Sequence, residues 1–357
     1  MENNSKNMID LAESGAAAAE DSGIFGTSIA FAEASLVLYP VAWEATTSYG
    51  GGTSEGPEVI LTASRQLDLE DPCFDRPYRP GLFLSQGRET LFGMNQAASL
   101  LVEDLRVSPN AEEKARDEKI ARVNALSAGV NTIVYEDTAK LAQQHKFIGV
   151  IGGDHSSPYG FIKHLSEVHD QFGILHFDAH LDLRDSFEGF KHSHASIMHN
   201  VINDFPQVVK LVSVGIRDYS FHEKEFCHAH QKRIRVFTDR DTFRRKQQGV
   251  LYSQICKEIL SELPGKVYIS FDIDGLDQRF CPSTGTPVPG GVEFNEACYL
   301  IEELALSAKK IIGFDLCEVA RSADSSEWDG NVAARILYKI CGALLFSQGK
   351  IGLASAF

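Results

Sequence analysis

The chain has 357 residues, 43% hydrophobic and 23% charged, which suits a soluble protein of one large α/β domain or two smaller ones with a substantial core. Its formal net charge of −15 disfavours nucleic acid or an anionic membrane face as partner and is compatible with a small cationic substrate. Seven scattered cysteines without a C-x-x-C pair, no run near eighteen apolar residues and no visible secretory signal point away from a disulfide framework, a zinc knuckle or a membrane span, and towards the reducing cytoplasm.

Residues 1–30 are rich in Asn, Ala, Ser and Glu and read as an acidic, partly ordered arm, a solvated tail or a segment packed on a neighbouring subunit. Residues 31–357 read as one catalytic domain. Ser35–Val41 is a buried strand, Thr46–Gly56 a glycine-rich loop, and Pro57–Leu67 a helix with proline in its first turn. The stretch Asp68–Ser108 reads as irregular, with prolines at 72, 77 and 80, and two amphipathic helices follow near Ala111–Ser127 and Asn131–Gln144. Strands and helices then alternate: strand Lys146–Ile151, helix Tyr159–His169, strand Gly173–Phe177, helix His199–Asp204 and strand Lys210–Gly215. Helix Gln254–Leu263, strand Lys266–Phe271, helix Glu296–Ser307, strand Lys310–Asp315 and helix Asn331–Phe346 complete the chain. Nearly all-apolar strands in repeated βα units predict a parallel sheet with helices on both faces.

Three stretches carry the chemistry. Ser270–Gly291 delivers Asp272, Asp274 and Asp277 from the end of an apolar strand; carboxylates this dense repel unless a cation or proton neutralises them. Asp178, His180 and Asp182 leave a second strand at a spacing of two, which places them on one face of extended chain. His155 follows a third strand across Gly152-Gly153. Each alone has a bland reading as a hydrogen-bonded polar strand end. Together, four carboxylates and two imidazoles exceed the needs of one zinc and suit two divalent transition ions sharing a water, whose pKa would fall towards ~7. Strand carboxyl ends are where ligands sit in doubly wound sheets. His176, inside an apolar strand, reads as a satisfied core histidine.

GGDHS (152–156), DAHLD (178–182) and SFDIDGLD (270–277), in this order, resemble the three signatures of the ureohydrolases: arginase, agmatinase and relatives. The likeness spans Ser35 to Leu345 and takes in VSVGIRD (212–218), TGTP (284–287) and GFDLCEV (313–319). It implies a three-layer arginase-like α/β fold, two divalent metal ions, Mn2+ first and Ni2+ second, and a homo-oligomer, a trimer or hexamer. By resemblance His155, Asp178, Asp182 and Asp272 hold one ion, and Asp178, His180, Asp272 and Asp274 the other, with Asp178 and Asp272 bridging. Asp277 is not a family ligand and is assigned a structural role. Asp182 is also implied as proton relay, Glu318 as the holder of the guanidinium, and His194 as proton shuttle, with His192 and His199 as rivals because Ala195 replaces the family's glycine.

Substrate is less constrained. The stretch before His194 lacks the Asn/Ser/Thr character by which arginases hold an amino acid end, so arginine is disfavoured. Formimidoylglutamases share Asp182-Leu-Arg184 but differ around His194. Agmatine leads, its cationic tail met by Asp185 or Glu188. Alternatives are a guanidino acid met by Arg184 or Lys191, or free guanidine in a pocket closed by Phe187, Phe190 or the 46–56 loop. A one-zinc deacetylase-like amidohydrolase and a non-catalytic metal-binding protein are the other classes weighed.

Overall fold

The computed structural model describes residues 18–48, 51–108, 112–324 and 326–355. Eight strands form one sheet in the order β2-β1-β3-β8-β7-β4-β5-β6, and every pairing is parallel. They are β1 (Leu36–Pro40), β2 (Leu82–Leu84), β3 (Phe147–Ile151), β4 (Phe172–Phe177), β5 (Val208–Ile216), β6 (Ile234–Thr238), β7 (Lys266–Asp272) and β8 (Lys310–Cys317). Strands β1 and β4 are buried along their whole length, as a parallel sheet covered on both faces requires.

Among the described residues, ten α-helices surround the sheet: α1 (Gly56–Ser64), α2 (Glu89–Val107), α3 (Glu113–Gln143), α4 (Tyr159–Val168), α5 (Ile197–Asp204), α6 (Phe221–Ala229), α7 (Asp239–Gln247), α8 (Tyr252–Glu262), α9 (Phe294–Leu306) and α10 (Trp328–Ser347). One face packs Ile255, Ile259, Leu300, Ile301 and Leu337 from α8, α9 and α10. The other packs Leu91, Val130, Val134, Phe161, Ile162 and Val201 from α2, α3, α4 and α5. Each such side chain contributes roughly 1.5–3 kcal/mol when fully buried. Among the described residues, no helix is long and apolar enough to cross a membrane.

Three expectations are corrected. The stretch 68–108 is not irregular throughout: it holds β2 and the nineteen-residue α2. Its prolines all precede residue 81, so nothing in ETLFGMNQAASLLVEDLRV interrupts a helix. The two helices expected over 111–144 are one, α3. Gly129, between the two expected spans, lies where a Cβ would come 2.7 Å from Met94 Cε of α2, so it marks a close helix–helix approach. Helices α6 and α7 and strand β6 were not anticipated. Residues 18–30 are not a free tail: Ile24 and Phe25 are buried, and Phe25 N–H donates to Ser64 Oγ at 2.9 Å. The expectation for residues 1–17 lies outside the described residues.

Candidate functional site

The sheet order brings together strands that are far apart in sequence. Register pairs Ile151 with Leu316, Leu316 with Phe271, and Phe271 with Phe177. These four residues form one row across β3, β8, β7 and β4, at the carboxyl ends. The next residues out, Gly152, Cys317, Asp272 and Asp178, therefore leave the sheet side by side. Glycine is needed twice where chains leave so tightly: a Cβ on Gly153 would lie 2.0 Å from Trp43 O, and one on Gly275 2.6 Å from Asp178 N.

The six candidate ligands converge. His155 Nδ1 lies 3.0 Å from Asp178 Oδ2, 2.9 Å from Asp182 Oδ2 and 3.4 Å from Asp272 Oδ2. His180 Nδ1 lies 3.4 Å from Asp178 Oδ1 and 3.1 Å from Asp274 Oδ2. The two oxygens of Asp178 thus face two different imidazoles. Ligand-type atoms gather into two groups, His155, His176, Asp178 and Asp182 in one and Asp178, His180 and Asp274 in the other. Asp272 stands beside these groups: its Oδ1 accepts the Asp274 N–H at 2.8 Å. Asp277 keeps to its turn, where its Oδ1 accepts the Arg279 N–H at 3.1 Å.

Beneath this layer runs a buried polar row. Ser213, His176, Ser270 and Asp315 are in register across β5, β4, β7 and β8, two residues below the Asp178–Asp272 row and hence on the same face. His176 Nε2 lies 2.8 Å from Asp178 Oδ2 and its Nδ1 3.0 Å from Ser213 Oγ. His155 Nε2 lies 2.9 Å from Ser270 Oγ. His176 is thus the buried, satisfied histidine that its apolar strand implies, and one of its two partners is a carboxylate of the site. The period-two spacing from Asp178 was the signal for that contact, and the apolar neighbours masked it.

Burial sets the electrostatics. Asp178 and His155 are 0% and 1% exposed. Burial and then the neighbouring Asp274 and Asp178 charges push Asp272 well above the usual carboxylate range. Burial and the Asp178 charge lift Asp182 to about 6. Burial would lower both imidazoles, but it is outweighed: hydrogen bonds to Asp178 and Asp182 hold His155 well above its usual value, and the Asp274 charge with bonds to Asp178 and Asp274 lifts His180 to about 12. These oxygens and nitrogens demand positive charge at their centre. In donor type, burial and grouping they fit a pair of divalent ions.

The layer opens into a cavity of about 410 Å3 lined by His180, Asp182, His194, Ser48, Arg184 and Thr286, among others. His194 starts the turn His194–Ser196, and its Nε2 lies 3.2 Å from Ser48 Oγ. Burial and the His180 cation lower it to about 4. Of the three rival histidines, only His194 lines the cavity; His192 packs edge-on against Tyr159 and His199 tilts against Phe226. Glu318 follows β8 in the left-handed region, φ 63°, and its Oε1 accepts the His155 N–H at 2.9 Å. Asp182 is left-handed too, φ 55°, and such strain persists where surrounding structure enforces it, often at functional sites.

Not all of the residues expected to meet a substrate tail line this cavity. Asp185, Glu188 and Lys191 do not line the cavity; Glu188 Oε2 instead pairs with Arg106 at 2.9 Å. Arg184 does line it, yet its Nε lies 3.8 Å from Glu223 and its guanidinium stacks over Phe187. Phe187 lines the cavity, while Phe190 is buried elsewhere against Val102, Leu105 and Val123. Sequence reasoning also missed Ser48, whose contact with His194 spans 146 residues and leaves no local signal.

A family model described as the arginase family matches residues 34–342. The chain is 30% identical over 329 residues to an N(1)-aminopropylagmatine ureohydrolase from Synechocystis, covering 90% of this chain and 92% of that protein. It is 28% identical over 307 residues to the agmatinase of Bacillus subtilis, covering 85% and 90%. Its fold is similar to the crystal structure of agmatine ureohydrolase from Thermoplasma volcanium, with a TM-score of 0.66 at 22% identity over 90% of this chain and 94% of that one.

Proposed function

The chain belongs to the arginase family, whose members hydrolyse C–N bonds of amidino compounds with two metal ions, and from that premise we propose that it releases urea from a small guanidino compound, agmatine first. The observation that carries this reading is Asp178, whose two carboxylate oxygens face the two groups of ligating side chains. His155, Asp178, Asp182 and Asp272 would hold one ion and Asp178, His180, Asp272 and Asp274 the other, manganese before nickel. Such ions supply water of lowered pKa at neutral pH. We assign the reaction to residues 31–357 as one unit, in the cytoplasm, and to a homo-oligomer of three or six chains.

The chain's own residues divide the rest of the work. Water adds to the guanidinium carbon, the bond to the substituted nitrogen breaks, and that nitrogen leaves as an amine that needs a proton. Glu318, buried beside His155, holds the guanidinium by charge. Asp182, at the cavity wall and 2.9 Å from His155, orients the water and receives its proton. His194 delivers a proton to the departing amine. The cavity's volume of about 410 Å3 favours a guanidino compound with a tail over free guanidine. The named relatives, an aminopropylagmatine ureohydrolase and an agmatinase, support an amine at the end of that tail.

The test is urea release over agmatine, N(1)-aminopropylagmatine, guanidinobutyrate, guanidinopropionate, arginine and guanidine, after loading with Mn2+ or Ni2+ separately. Fastest turnover of agmatine or its aminopropyl derivative is expected. Metal-loaded protein inert towards the whole panel would refute the reading.

A further inference from the structure

The loop carrying Ser48 is anchored far more heavily than a cavity rim requires. Thr46 Oγ1 donates to Asp154 Oδ2 at 3.1 Å, next to His155. Glu44 accepts the Ser54 N–H at 3.0 Å, and its own N–H donates to Asn95 Oδ1 of α2 at 2.8 Å. Arg106, also on α2, donates from one nitrogen to Thr47 O at 2.6 Å and to Glu188 Oε2 at 2.9 Å. One guanidinium therefore ties the backbone beside Ser48 to the loop that leads into His194. That second loop is pinned again from α3, where Asn124 donates to Gly189 O at 3.0 Å and accepts the Lys191 N–H at 2.8 Å. Both loops are thus latched to α2, and the second is held from α3 as well.

What the latches hold in place is the contact between Ser48 Oγ and His194 Nε2, 3.2 Å apart. Among the described residues His194 Nδ1 is buried, the Thr46 backbone, two residues from Ser48, bonds to the ring, and Phe187 packs edge-on against it at 5.6 Å. The hydroxyl is the side-chain group that bonds the ring, and it acts beside the Thr46 backbone of the same loop. An imidazole that moves a proton must present a defined tautomer and tilt, which is set by the bond its other nitrogen makes. We propose that Ser48 is a positioning residue for the amidino hydrolysis: its hydroxyl fixes the tautomer and orientation of His194, and Arg106 keeps the two loops in register. This rests on the reading of His194 as the proton carrier.

The experiment compares the parent, Ser48→Ala, Ser48→Thr and His194→Ala as full chains. Kinetics are run with Mn2+ on agmatine or whichever guanidino compound is turned over fastest. The imidazole 15N spectrum is recorded with diamagnetic Zn2+ in place, the His194 signals being those lost in His194→Ala. Ser48→Ala is expected to lower kcat about tenfold with KM and metal content unchanged, and to replace a single His194 tautomer pattern by a mixed one. Ser48→Thr, which keeps the hydroxyl, is expected to restore both. Parental kcat and tautomer in Ser48→Ala, beside a His194→Ala that is inactive, would overturn the inference and leave the reading of His194 standing. A raised KM at unchanged kcat would overturn it too, by making the hydroxyl a substrate contact. Full activity in His194→Ala would overturn both.

Discussion

Asp178 is the residue on which the two halves of the site meet, with three imidazoles against its carboxylate. Burial opposes its charge, yet the His176 charge and the hydrogen bonds from His155, His176 and His180 hold it well below the usual carboxylate range. Asp178→Asn keeps the shape and removes the charge, so metal content by elemental analysis is expected to fall and urea release to drop by more than about a hundredfold. Wild-type metal content in that variant would contradict the assignment. His194→Ala is expected to behave differently: metal content unchanged, kcat down by about 10²–10⁴. The ligand-type residues were legible in the sequence because a spacing of two puts side chains on one face of extended chain. His176 and Ser48 were not, for different physical reasons. His176 obeys that same spacing but hides among apolar neighbours, while Ser48 meets His194 only through tertiary packing of two loops.

At the scale of elements, the glycines at helix contacts are what can be tested. Gly129 sits within α3, where only the flexible tip of Met94 opposes a Cβ. Gly160, in α4, is different in kind: a Cβ there would lie 2.3 Å from Asn131 O and 2.7 Å from Tyr135 N, both backbone atoms of α3. Gly160→Ala is expected to destabilise by about 1–3 kcal/mol or more, since two helix backbones must separate. Gly129→Ala is expected to be near neutral, the helix-propensity gain of up to about 1 kcal/mol offsetting a small shift of Met94. Thermal unfolding of the two variants side by side distinguishes them. Most strands were readable as short apolar runs bounded by turns. β6 was not, since IRVFT at the sheet edge has its short apolar run broken by Arg235 and is only partly buried.

For the whole molecule, the strand order was the part that sequence could not supply. Nothing local states that β8 inserts between β3 and β7, yet that insertion sets Glu318 beside His155. The cysteines give a further whole-chain prediction. Burial, the largest cause in each case, raises all seven thiols: Cys73 and Cys227 to about 11, Cys256 and Cys298 to about 12, and Cys281, Cys317 and Cys341 above the usual range. An acid whose folded pKa is raised keeps its proton in the folded state after the unfolded chain has lost it. The stability it contributes is present below the unfolded value of about 8.5 and is lost as pH rises towards the folded one. Denaturation midpoints are therefore expected to decline from pH 8 to 10, less steeply in Cys341→Ala. An equal slope in that variant would remove the thiols from the account.

The central claim is that three strand ends gather side chains around a shared pair of cations on which urea release depends. The most direct measurement is metal content and urea release followed together while a chelator strips the purified chain and Mn2+ is then restored. Two divalent ions per chain in the active protein, with activity lost and regained in step with them, is the expected result. A chain that goes on releasing urea after its metal is gone would contradict it.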